Sequence, residues 1–122
     1  MVESGYAAAG KEARVMNANA HELITILFEE LLNLLDEIYV IQSRDEKRGI
    51  ADQQAMALTI VDSLMISLDM EKGGDLAKNL HQIYSQVRHL IAAKESASSL
   101  ENNRAAHQII SEIYSAWLQI EV

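Results

Sequence analysis

Cysteine is absent from the 122 residues, so the chain has no disulfide framework, no thiolate metal site and no cysteine nucleophile. Proline is absent too, and the five glycines are Gly5, Gly10, Gly49, Gly73 and Gly74. Long stretches are therefore free of both helix breakers, which favours an all-helical protein. Basic residues are scarce: ten Lys and Arg against eighteen Asp and Glu leave a net charge of −8. That sign argues against nucleic acid or an anionic lipid surface as the partner. No apolar run approaches the roughly 18 residues of a membrane span, and no basic-then-apolar segment of signal-peptide length opens the chain. No membrane insertion is expected, and a cytoplasmic address is the simplest fit. What the chain does have is 49% apolar residues with 23% charged, enough for one core in one domain.

The glycines divide the chain into a short head, residues 1–18, and a bundle over residues 19–122. The first helix is predicted from Asn19, whose N-x-x-E spacing with Glu22 is that of a capping box, to about Ser43. Its stripe runs through Leu23, Ile24, Leu27, Phe28, Leu31, Leu34, Leu35, Ile38 and Ile41. The charged stretch SRDEKRG, residues 43–49, reads as a solvated turn. Helix two is placed at about Ile50 to Met70, with Ala57, Leu58, Val61, Leu64, Met65 and Leu68 on its core face and the pair Gly73 and Gly74 as its stop. Helix three, from Asp75 to about Lys94, carries Leu76, Ala77, Leu80, Ile83, Tyr84, Val87, Leu90 and Ile91 on one side. After the serines at 96, 98 and 99, helix four shows Ala106, Ile109, Ile110, Ile113, Tyr114, Trp117, Leu118 and Ile120. Four amphipathic helices with short connections make an antiparallel up-and-down four-helix bundle. The head is too short to hold a helix alone, so its order must come from docking.

Catalytic constellations are missing from the pattern. A carboxylate-bridged di-metal bundle needs Glu-x-x-His pairs, and no Glu lies three residues before a His. His21 and Glu22 begin H-E-x-x-H but Thr25 stands where the second His belongs. His21 reads as a surface residue of the first turn. His81 and His89 lie eight residues apart, about 12 Å along a helix, too far to share one ion. A phosphotransfer bundle would present an exposed His with a nearby Lys and a small residue, a set found around neither His89 nor His107. The expectation is no catalytic residue, no metal, no cofactor and no enzyme activity.

Helix two has a surplus of apolar residues. Ile66 and Met70, with Ala55 and Thr59, fall roughly 100° to 160° from the centre of its core stripe, and Met56 lies further round. Between Gln53 and Ser67 the only charge is Asp62. Such a helix is either buried on two sides by its own bundle or presents an exposed groove to a partner helix, where flexible methionines adapt to an apolar ligand.

The run Leu68 to Gly74, LDMEKGG, followed by Asp75, Leu76, Ala77, Asn79, Leu80 and Tyr84, closely resembles the middle of the FliS-type flagellar chaperones. Tyr6, the stretch MNANAHELITILF from Met16 to Phe28, the segment IVDSLMISLD from Ile60 to Asp69, and Ala116, Trp117 and Ile120 follow in family order, so nearly the whole chain is covered. Three sites depart from the family pattern: Asn19 and Ala20 replace a Ser-Pro, Glu29 and Glu30 replace an Asp-Gly, and Ile66 stands where small polar residues are usual.

The resemblance implies a cytoplasmic, non-enzymatic chaperone that binds the C-terminal segment of flagellin without ATP. It would prevent premature polymerisation and deliver its client to the export gate. The expected partner-binding residues are Tyr6, Met56, Ile60, Ile66, Met70, Asn79, Leu80 and Tyr84. The head, through Tyr6, Val15 and Met16, is expected to act as a displaceable lid on the client groove. The alternative is a homodimeric helical scaffold closed by the surplus stripe of helix two, with no flagellin client.

Overall fold

The computed structural model describes residues 14–16, 18–44, 49–93 and 99–120. Asn19 is extended, and its side-chain oxygen accepts the Glu22 amide at 2.8 Å, which satisfies one orphan donor of helix α1, Ala20–Ser43. Only half of the capping box forms as drawn, because the Glu22 carboxylate accepts from Arg14 at 2.7 Å instead. Helix α2 spans Ala51–Ile66, α3 spans Met70–Ala92 and α4 spans Ser99–Leu118. Among the described residues there are no strands.

Hydrogen bonds between helices establish their directions. Trp117 near the end of α4 reaches Thr25 at the start of α1, while Gln42 near the end of α1 reaches Ser99 at the start of α4. Gln53 of α2 meets Glu37 of α1, and Gln54 donates to the Ile91 carbonyl near the end of α3. Each helix packs against the next and α4 closes on α1. The result is an up-and-down bundle, all-helical as the composition implied. Phe28, Leu31, Leu35 and Ile38 of α1, Val61 and Leu64 of α2, Val87 and Ile91 of α3, and Ile110 of α4 are sealed from solvent. Each such side chain contributes roughly 1.5–3 kcal/mol through burial.

The expected end of helix two is corrected. Helix α2 stops at Ile66, not Met70, because the Ser67 hydroxyl turns back to the Leu64 carbonyl at 2.7 Å and Asp69 supplies a new N-cap, accepting the Glu71 and Lys72 amides. Residues 70–73 then form one turn, broken at Gly74 (φ 53°, ψ −131°) before the long part of α3 continues from Asp75. The positive φ expected of the glycine pair is present, but it ends this one turn and not helix two.

Four stripe residues are also corrected. Leu23, Leu76, Leu118 and Ile120, all read as core, are exposed. All four lie at the end of the bundle where α1 begins and α4 finishes. A helical stripe specifies an angle around the helix axis, whereas burial also needs a neighbour at the same height.

Candidate functional site

Among the described residues, that end of the bundle is open. A cleft of about 260 Å³ is walled by Ile24 and Phe28 of α1, by Leu68 and Asp69 of the α2–α3 link, by Gly73, Leu76, Ala77, Leu80 and Tyr84 of α3, and by Ile113 and Trp117 of α4. Its lining is mainly apolar, with Ser67 and Asp69 among the lining residues. Tyr84 is buried, and loss of hydration pushes its phenol up to about 12. Leu76 is 67% exposed, so one wall of the cleft continues onto the protein surface. A surface of this shape takes up apolar side chains of a partner and offers little for bond chemistry.

Two shallow depressions flank α2. The first, about 320 Å³, is lined by Ala55, Met56, Thr59 and Ile60. The second, about 380 Å³, lies between α2 and α3 and is lined by Asp62, Met65, Ile66 and His81. Hydroxyls on this face are turned inward: Thr59 donates to the Ala55 carbonyl and Ser63 to the Thr59 carbonyl, each at 3.0 Å. The outward face of α2 is therefore less polar than its composition suggests. An ion pair from Arg88 to Asp62, at 2.8 Å, borders it.

The expected binding residues are distributed over both surfaces. Met56 and Ile60 share the first depression, Ile66 lies in the second and is 84% exposed, and Met70 is exposed at the start of α3. Leu80 and Tyr84 belong to the cleft instead. Asn79 is exposed on α3, and Tyr6 lies outside the described residues. The cleft residues that the sequence pattern assigns only to the core are Ile24, Phe28, Leu68, Leu76, Ala77, Ile113 and Trp117. Their one sequence signal is position, since each lies near a helix terminus on the same end of an antiparallel bundle.

His21 is corrected from a surface residue to a half-buried one. Its ring stacks on Trp117 with centroids 4.4 Å apart and planes 9° from parallel. Val15 and Met16, expected to cover a groove, are exposed, Met16 by 85%. What ties this part of the head to the bundle is Arg14, which bonds Glu29 at 2.6 Å and Glu22 at 2.7 Å. Arg14 holds the Glu29 carboxyl below its ordinary range, with the Tyr114 hydroxyl as a further donor at 3.1 Å. Among the described residues no group of three or more metal-ligating side chains is assembled, and no helix is long and apolar enough to cross a membrane.

Comparison with known proteins places the geometry in context. The family model for flagellar protein FliS matches residues 2–122. The flagellar secretion chaperone FliS of Salmonella typhimurium is 31% identical over 119 residues, covering 94% of this chain and 86% of its own. The corresponding Escherichia coli protein is 31% identical over 116 residues, covering 92% and 83%. The flagellar secretion chaperone FliSB of Pseudomonas aeruginosa is 33% identical over 110 residues, covering 87% and 84%. An all-helical bundle with an open apolar end, matched along its length in this way, belongs to the FliS family of flagellar secretion chaperones.

Proposed function

We propose that this protein is a cytoplasmic, non-enzymatic chaperone that holds the C-terminal segment of flagellin and hands it to the flagellar export apparatus. The observation that carries this reading is the open apolar cleft between α1, α3 and α4, continuous at Leu76 with exposed surface. Met56, Ile66 and Met70 supply further exposed apolar side chains along α2 and the start of α3. An extended, partly helical client segment crossing these surfaces buries its own polymerisation-prone residues, and hydrophobic burial alone drives the event without ATP. The net charge of −8 keeps a protein with such exposed apolar surface soluble.

Calorimetry with a purified flagellin C-terminal fragment tests the reading. The expected result is one-to-one binding with a negative heat-capacity change, because both partners remove apolar surface from water. No binding at high micromolar concentration, with both partners soluble, refutes it. Mass that rises with protein concentration, together with no fragment binding, identifies the α2 stripe as the interface of a homodimeric scaffold.

A further inference from the structure

Trp117, the single tryptophan of the chain, stands where the last turns of α4 meet the first turns of α1. One face of the indole lies on the His21 imidazole, 4.4 Å between centroids and 9° from parallel. Its Nε1–H donates to the Thr25 hydroxyl at 3.0 Å, and that hydroxyl donates to the His21 carbonyl at 3.0 Å. The His21 Nε2 lies 3.4 Å from the Trp117 carbonyl. Phe28 approaches the indole at 6.1 Å with the rings tilted by 57°. Trp117 lines the cleft, whereas His21 and Thr25 do not.

We propose that His21 is a positioning residue: its stacked imidazole, with Thr25 as the indole's hydrogen-bond acceptor, holds Trp117 as a preformed wall of the cleft. The proposal rests on the reading of that cleft as a client-binding surface. Helix α4 ends at Leu118, one residue beyond Trp117, so helix packing alone restrains the indole weakly there. A wall already in its bound rotamer spares the client the cost of ordering it, which appears as affinity. Aromatic stacking also explains why a histidine with no metal and no catalytic partner occupies a first-turn position.

The test uses the full chain with His21→Ala, His21→Phe and Thr25→Val. The tryptophan band of near-ultraviolet circular dichroism reports indole order, and calorimetry reports affinity for the flagellin C-terminal fragment. His21→Ala is expected to flatten the band and weaken the fragment by about two- to tenfold, the range of a lost aromatic pair. His21→Phe, which restores a ring but no ring nitrogen, is expected to recover both. Thr25→Val keeps the stack and removes the acceptor, and is expected to show a smaller loss in both; it keeps the test open if His21→Ala does not fold. Wild-type affinity in His21→Ala alongside a flattened band overturns the proposal, as does a His21→Phe chain that regains the band but not the affinity. If the wild-type chain does not bind the fragment, the client reading falls; an unchanged tryptophan band in His21→Ala overturns the positioning role separately.

Discussion

Replacing Gly74 by L-alanine is expected to destabilise the bundle through the backbone alone. Gly74 holds φ 53°, ψ −131°, the mirror image of an extended L-residue at φ −53°, ψ 131°. This corresponds to the first central position of a type II′ turn, where an L side chain is strained. Nothing lies within 4 Å of a Cβ added there, so steric crowding contributes nothing. Backbone strain costs about 1–3 kcal/mol, and the reduced freedom of the unfolded alanine chain returns about 0.4–1 kcal/mol. The net loss is at most about 2.6 kcal/mol and centres on about 1.3 kcal/mol, a fall in thermal midpoint of roughly 5 °C and no more than about 12 °C for a domain of this size. Gly73→Ala should destabilise by a different route, because its Cβ would stand 2.7 Å from the Ala77 Cβ, two short groups with no way to swing aside. Denaturant unfolding of each variant with and without Ala77→Gly separates the two causes. Ala77→Gly should offset part of the Gly73→Ala loss and add independently to the Gly74→Ala loss. A synthetic chain with D-alanine at 74 should match or exceed wild-type stability. Equal losses from the L and D residues, or rescue of Gly74→Ala by Ala77→Gly, would refute the backbone argument.

Two further outcomes follow from burial and charge. Ile66→Asp should weaken binding of the flagellin fragment while leaving the thermal midpoint within a few degrees of wild type, whereas Val61→Asp, at a sealed position five residues earlier, should abolish folding; loss of the helical signal in Ile66→Asp would show that its face is structural. The Glu29 carboxyl is depressed below its ordinary 4.5 first of all by its hydrogen bonds from Arg14. Its contribution to stability is therefore complete above about pH 4.5 and is lost as the pH falls through the lower folded-state value. The midpoint of the wild-type chain should drop more steeply on acidification than that of Glu29→Gln, and parallel acid limbs would contradict the assignment.

The α2 stripe shows both the reach and the limit of sequence pattern. Ala57, Val61 and Leu64 were assigned to the core and are buried; Ile66 was placed off that stripe and is exposed. Both follow from the fixed angle between successive residues on a helix. The end of α2 was misplaced because Leu68, Asp69 and Met70 continue an apolar rhythm that a cap interrupts. Asp69 favours a cap over a helix interior, but a lone Asp does not fix where the chain turns, and Ser67 is equally able to bond backward or face water. His21 was misread for a related reason: its neighbours in sequence are those of an exposed first turn, and its ring partner is ninety-six residues away.

By itself the sequence determined the four helices of the bundle, the angular position of their apolar stripes and the Asn19 cap. These depend on residues within a few positions of each other along the chain. The tertiary structure alone decided that, among the described residues, one end of the bundle stays open, that Leu76 and Trp117 wall a cleft there, and that His21 and Thr25 meet the indole by stacking and a hydrogen bond. Those outcomes depend on the relative heights of four helices along the bundle axis. Helical periodicity carries no information about height, so which apolar residues are capped by a neighbour and which are left at an open end emerges only when the helices pack.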